Sequence, residues 1–330
     1  MKNLIKILLS LIILSGITPV MNVLAQTADT TTLSEQISDT TYLPSRGKHI
    51  FTSISGVDDP FVSTKFLLGV GIAEMLETTI PVTIGGVSKT VEFEPDVTYT
   101  TGGFEFQYAI RNWAAIQIQG FGMARLGNNF LSLASEGVSA GSVFRIGWLF
   151  RIVESEDIMF SGTIALNTAD LTFIDIFAET DTTITQIDTL INRQVINNYQ
   201  SLTTKADLRF AARFSDVFGM LAKLEGGFGE VYAAESESQF QYNFGLAFSI
   251  DLRNWIHIPF GIGIGGSILS NELRFDDAKP PVYSANLTIA FYNRNDFTIG
   301  IENYLQIIEP QQYEQTFNFI YSRVYMCYYF

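Results

Sequence analysis

The chain of 330 residues has a single cysteine, Cys327, so no internal disulfide can form. It has only two histidines, His49 and His257, and no CxxC, HExxH, P-loop or nucleophile-elbow pattern. No metal, cofactor or catalytic site is therefore expected. Basic residues are scarce: 20 Lys and Arg stand against 34 Asp and Glu, a formal net charge of −14. Such a chain is a poor partner for nucleic acid. Beyond residue 25 there is no apolar run of about 18 residues, which excludes a membrane helix. Yet 47% of the residues are hydrophobic, so the apolar side chains must be disposed in another pattern.

The N-terminus accounts for a small part of them. Lys2 and Lys6 flank the apolar run LIKILLSLIILSGI, and Val23-Leu24-Ala25 precedes Gln26. A basic start, an apolar stretch and small residues before the junction describe a secretory signal peptide, with cleavage expected after Ala25. The mature chain is then divided into an N-terminal arm or plug over 26–60, rich in Thr, Ser and Asp, and a main domain over 61–330.

The pattern in that domain has period two. In 240–252 (FQYNFGLAFSIDL), Phe240, Tyr242, Phe244, Leu246, Phe248, Ile250 and Leu252 share one face, while polar and small residues occupy the other. The segments 144–152, 206–214 and 256–265 repeat it. These runs are longer than an ordinary strand and suit strands of about 9–11 residues that cross a membrane. Tight turns are expected at 111–113, 155–156, 215–216, 253–255 and 294–295, alternating with longer polar segments. Five hairpins, a first strand near 61–75 and a last near 316–330 give about 12 strands, within a range of 10–14. The expected fold is an all-β, closed antiparallel transmembrane β-barrel with short periplasmic turns and long extracellular loops. Arg-Asn-Trp occurs at 111–113 and again at 253–255, and reads as a repeated hairpin whose Trp113 and Trp255 mark the membrane boundary.

The chain ends Val324-Tyr325-Met326-Cys327-Tyr328-Tyr329-Phe330, with Phe330, Tyr328, Met326 and Val324 on one face. This resembles the closing strand of bacterial outer-membrane β-barrel proteins. The resemblance covers the architecture of the mature chain and selects no functional family. It implies a bacterial outer-membrane location, contact with outer-membrane lipid, and recognition by the barrel-assembly machinery through the strand ending in Phe330.

With the polar face turned inward, the lumen is expected to hold Lys65, Glu105, Arg125, Arg145, Arg151, Lys205, Asp207, Arg209, Arg213, Lys223, Glu225, Asp251, Glu302 and Arg323. The selectivity candidates are Arg145, Arg151, Lys205, Asp207, Arg209, Arg213, Lys223, Glu225, Asp251 and Glu302. The fourteen comprise nine basic and five acidic residues, so a basic lumen beneath acidic loops is one reading, and a paired structural network is the other. Gly261, Gly263 and Gly265 face inward as well. They either let the sheet coil, the simpler reading, or make room for a plug or solute. Alternation slips near Gly120-Phe121-Gly122, which makes Arg125 the least secure inward residue.

Gly85-Gly86 between apolar runs signals a hairpin within 76–100. In 169–202, Thr185-Gln186-Ile187-Asp188 opens a helix-like pattern, with strand extension as the alternative. His257 is expected to face inward two residues after a turn, a lumen residue rather than a catalytic one. The functional expectation is a channel or porin-like transporter for small solutes, not an enzyme. The alternative is a structural or adhesive barrel with an occluded lumen and partner-binding loops.

Overall fold

In the computed structural model, the residues described are 43–75, 78–84, 87–93, 98–126, 137–174, 196–230, 238–270, 281–308 and 317–330. The expected signal peptide, and the arm up to residue 42, lie outside them. Two short strands come first, β1 (Ser45–Arg46) and β2 (His49–Ile50). The wall begins with β3 (Lys65–Met75). A separate hairpin of β4 (Thr78–Ile84) and β5 (Val87–Phe93) follows. The wall resumes with β6 (Thr98–Arg111), β7 (Ala114–Leu126), β8 (Gly137–Glu154), β9 (Ile158–Ile174), β10 (Ile196–Arg213) and β11 (Phe218–Glu230). It is completed by β12 (Ser238–Asp251), β13 (Phe260–Leu269), β14 (Val282–Arg294), β15 (Phe297–Ile308) and β16 (Phe317–Tyr329).

These twelve wall strands form one closed antiparallel barrel, sealed where β16 pairs with β3, for example Val324 with Val70. Closure leaves no strand edge unpaired, which a sheet surrounded by lipid requires. Period-two alternation decides which side each residue takes. Phe244, Phe248, Ile264, Leu287 and Met326 stand exposed on the outer face, a density of bare apolar side chains that suits hydrocarbon rather than water. Trp113 stacks on Phe150 near the short-turn end, with ring centroids 6.3 Å apart. Aromatic side chains at that level suit a membrane–water boundary.

Four of the five expected tight connections are present, and the fifth, at 253–255, widens to the eight residues 252–259. Two sequence readings need correction. The second Arg-Asn-Trp does not repeat the first: Arg253–Ile256 winds into a single helical turn, α1, which ends on His257 in the left-handed region at φ 57°. Pro259 cannot donate to a ladder, and β13 starts only at Phe260. His257 is accordingly an exposed helix-end residue and not a lumen group. Near Gly120 there is no slip. The register of β7 with β6 runs unbroken from Leu126 to Ile116, so Phe121 faces inward and Arg125 lies over the Tyr99 ring at 5.9 Å.

The hairpin expected within 76–100 is present as β4 paired with β5, with Ile84 opposite Val87. Within 169–202, β9 and β10 extend as paired strands out to Ile174 and Ile196. Of the helix-like pattern from Thr185 to Tyr199, residues 185–195 lie outside the described residues, and its last position, Tyr199, is in β10, paired with Leu171.

Candidate functional site: a plug held in the lumen

Residues 43–64 do not belong to the wall. They enter at the short-turn end, climb inside the barrel, and return to the start of β3. The segment is amphipathic in the round: it has apolar side chains for two opposite walls and polar groups between them. Leu43 and Ile50 pack with Leu67, Ala290, Tyr292 and Tyr325. Phe51, Ile54, Val57 and Phe61 pack with Met159, Ala211, Leu221 and Ala247. Burying each of the larger side chains contributes about 1.5–3 kcal/mol relative to leaving it in water.

Glycines in the wall set the fit. A Cβ built on Gly263 would lie 2.5 Å from Ile54 Cδ1, and one on Gly219 would lie 2.5 Å from His49 Nε2 and 2.6 Å from Phe51 Cε1. These positions lack a side chain because the plug fills the space. Gly265 is different, since its nearest neighbour is Ala247 of the adjacent strand, so it serves the curvature of the sheet. Gly263→Phe is expected to expel the plug, reversing the simple expectation that a bulkier wall narrows the lumen. Overpacking of this kind costs about 1–3 kcal/mol. Conductance in a planar bilayer should rise relative to wild type; a fall would count against the fit described.

The plug's backbone is bonded to wall side chains rather than to strands. Ile50 N donates to Asp251 Oδ2 at 3.0 Å and Thr52 N to Ser249 Oγ at 3.0 Å. Thr52 Oγ1 and Tyr292 OH share a hydrogen bond of 3.0 Å. At the apex, Ser55 N and Oγ donate to Glu302 at 2.5 and 2.7 Å, and Asn286 Nδ2 donates to the Ser55 carbonyl. On the way down, Ser161 Oγ donates to the Pro60 carbonyl at 2.6 Å and Gln107 Nε2 to the Phe61 carbonyl at 2.7 Å. The turn at α1 takes part too, since Asn254 Nδ2 donates to the Lys48 carbonyl at 3.0 Å. Every such bond can break without disturbing the barrel ladder.

The charged candidates from the sequence fall into three places. Arg145, Lys205, Asp207, Arg209, Lys223 and Glu225 come together in one network on β8, β10 and β11. Arg145 meets Asp207 at 2.6 Å and Glu225 at 3.2 Å. Arg209 meets Asp207 at 2.7 Å, and Glu225 takes Lys223 at 2.8 Å and Lys205 at 3.5 Å. Asp251 and Glu302 lie apart from this network, each holding the plug and one arginine: Arg253 at 2.6 Å and Arg323 at 2.7 Å. Arg151 and Arg213 sit at the short-turn rim, the first beside Glu154 and the second between Glu156, Asp157 and Asp216.

The residues that sequence reading missed as site members are on the plug. Asp58 Oδ2 is approached by Lys223 at 2.9 Å, Arg209 at 3.6 Å and Arg145 at 3.8 Å. Asp59 pairs with Lys65 at 2.8 Å, and Lys65 also meets Glu105 at 3.0 Å. Five cations (Lys65, Arg145, Lys205, Arg209, Lys223) thus face three wall carboxylates (Glu105, Asp207, Glu225), and Asp58 and Asp59 supply the difference. The wall is basic, as its inward residues imply, but the docked plug neutralises it. Burial alone would raise the Asp58 carboxyl; Lys223, Arg209 and Arg145 outweigh it and hold it well below the usual carboxylate range.

His49 is fully buried in the plug, edge-on to Phe51 with centroids 4.6 Å apart. Burial pushes its pKa down to about 4, against the pull of Asp251 and with a smaller push from Arg253 and Arg213. An undocked His49 would titrate near 6.5. Between those values the free plug binds a proton that the docked one excludes, so docking weakens as pH falls from about 6.5 to about 4 and is unaffected by this group above 6.5. The full effect is about 3 kcal/mol. Open probability should climb between pH 7 and pH 4.5, and His49→Leu should flatten that rise.

Above the plug apex lies a cavity of about 360 Å³, lined by the cation cluster and by Phe121, Val143, Gln119 and Asn167. Barrel, plug and cavity define the class: a closed transmembrane β-barrel whose lumen is filled at one end by its own chain. No family model and no curated protein matches the sequence. Solved structures do. The chain is similar to an outer membrane channel from Pseudomonas putida F1, with a TM-score of 0.51 at 8% identity, covering 84% of this chain and 99% of that one. It is also similar to the NanC porin, with a TM-score of 0.46 at 6% identity, covering 79% of this chain and 98% of that one. A third likeness is to the Pseudomonas putida toluene transporter TodX, with a TM-score of 0.42 at 8% identity, over 88% and 98% of the two chains. The first of these shares the barrel fold.

Proposed function

We propose that this protein is an outer-membrane channel for small solutes, gated by the plug. One observation carries the reading: the segment over 43–64 is docked in a lumen shaped for it and is tied there by side-chain contacts that can be undone without opening the barrel. A twelve-stranded barrel is larger than the roughly eight-stranded kind that wall side chains fill, and its interior here is taken up by a separable segment. Residues 1–25 serve as the signal peptide, cleaved after Ala25. The short-turn end faces the periplasm, and the strand ending in Phe330 is the part read by the barrel-assembly machinery. Met326, Tyr328 and Phe330 lie exposed on the outer face, open to lipid and to that contact.

The density of ion pairs supports a second reading, a barrel kept shut for structural or adhesive purposes. A reversible lock separates the two. A Cβ on Gly245 would lie 3.6 Å from Val57 Cβ, within disulfide range, while the Gly56 carbonyl, a main-chain atom at 2.9 Å, must shift to admit it. Val57→Cys with Gly245→Cys should be silent in a planar bilayer when oxidised and should conduct after reduction under a membrane potential. Silence in both states, with folding confirmed by heat-modifiable migration, would favour the permanently shut barrel.

A further inference from the structure

Two inner-wall residues depart from the rule that large exposed apolar side chains face outward. Phe121 and Val143 are 37% and 38% exposed, pair across β7 and β8, and point into the lumen. Their floor is bare: Gly69 and Gly103 occupy the same level of β3 and β6. Phe121 packs edge-to-face with Tyr321, from β16, with ring centroids 6.3 Å apart. One inward step down the same strands are Gln119 and Arg145, themselves paired, at a distance of about 7 Å set by the strand rise. Beside Arg145, Asn167 is 9% exposed and its Oδ1 has no hydrogen-bond partner.

The charge at this level has a second peculiarity. Arg145, Arg209 and Lys223 converge on a single carboxylate oxygen that is not part of the wall, Asp58 Oδ2. The Asp58 side chain keeps 26% of its surface open, and it lines the cavity. A solute arriving from the long-connection end therefore meets an apolar pair first and the three cations immediately beneath, with a plug carboxylate in the anion position.

We propose that this cavity binds a small carboxylate with an apolar body: the body lies on Phe121 and Val143, and the carboxylate takes the place of Asp58 on Arg145, Arg209 and Lys223, releasing the plug apex. Asp58 is thus a built-in competitor. The inference rests on the plugged-channel reading for its consequence, opening, but not for the binding itself. Carboxylate exchange leaves the net charge at Arg145, Arg209 and Lys223 unchanged, so these three cations remain paired when Asp58 leaves them. The apparent affinity of the solute is reduced by the fraction of time the site is occupied by Asp58.

Isothermal titration of the purified full-length barrel in detergent tests the site without reference to conductance. The probes are phenylacetate, acetate, 2-phenylethanol and inorganic phosphate. Phenylacetate should bind about tenfold or more tightly than the other three, since each lacks either the body or the carboxylate, a difference of about 1.4 kcal/mol. Asp58→Asn should tighten phenylacetate about tenfold, a gain that a purely structural aspartate would not give. Phe121→Ser, which leaves the β6–β7–β8 ladder to the main chain, should weaken it by a similar factor in a barrel of normal heat-modifiability. Equal affinity for phosphate or 2-phenylethanol would overturn the proposal, as would an affinity unchanged by Asp58→Asn in a barrel of normal heat-modifiability. Binding as described, with no conductance under any condition, would uphold the site and sink the channel reading instead.

Discussion

Replacing residues 49–60 by a flexible Gly-Ser linker should turn a barrel of rare openings into a steadily conducting pore. The increase should be about tenfold or more at equal protein load, because a lumen filled to its wall becomes a continuous water path. Its ion preference is set by what the plug leaves behind. With Asp58 and Asp59 gone, Lys65, Arg145, Lys205, Arg209 and Lys223 face only Glu105, Asp207 and Glu225. The reversal potential in a salt gradient should therefore favour anions. Charges left unpaired in a water-filled lumen are hydrated, so the barrel should still fold and migrate normally on a gel. A pore no larger than wild type would mean that the plug is not the barrier; cation preference would mean that this network does not set selectivity.

The barrel was legible in the sequence because a strand writes its orientation at every second residue. Lys223 and Glu225 on β11, or Asp207 and Arg209 on β10, could be placed inward by counting alone. Alternation says nothing, however, about a segment that is neither helix nor wall strand. Residues 51–64 show no period, and several of their contacts lie some 200 residues away in sequence, as with Thr52 and Ser249. The signal that was available lay on the wall. Leu149 and Leu221 face inward, almost wholly buried, and Met159 likewise. Apolar residues on the wet face of a barrel need a partner, and the apolar residues of the arm supply it. The basic excess among the inward residues was a second sign, since a cluster short of carboxylates must take them from another segment. The Arg-Asn-Trp repeat misled for the opposite reason: identical residues at 111–113 and 253–255 meet different continuations, a strand after Trp113 and Pro259 shortly after Trp255. In 169–202 the alternation left helix and strand extension open, and strand extension holds at both ends, where β9 and β10 pair out to Ile174 and Ile196.

Glu302→Ala should have the largest effect of any single wall substitution. Glu302 is fully buried and is the acceptor for three donors: Ser55 N at 2.5 Å, Ser55 Oγ at 2.7 Å and Arg323 Nε at 2.7 Å. Truncation leaves the Arg323 guanidinium without its carboxylate, a loss of about 3–5 kcal/mol for a buried pair. It also orphans the Ser55 N–H, at about 1–3 kcal/mol. Both costs fall on the docked state alone, because an undocked apex exposes Ser55 and Arg323 to lumen water. The ladder of β15 with β16 is untouched: Glu302 and Arg323 keep their register through the main chain. Open probability should thus rise about a thousandfold, the equivalent of about 4 kcal/mol at the lower end of these costs, with heat-modifiable migration unchanged. Glu302→Gln, which keeps one acceptor oxygen and loses the charge, should fall between the two. Pairing Glu302→Met with Arg323→Met removes the unpaired cation but not the orphaned amide. If the double variant closes again as tightly as wild type, the ion pair alone holds the apex. If it stays near the Gln variant, the Ser55 hydrogen bonds carry an independent share. If Glu302→Ala fails to open the pore at all, the plug is held by its apolar faces on Leu221 and Tyr292, and the polar apex serves only to seat it.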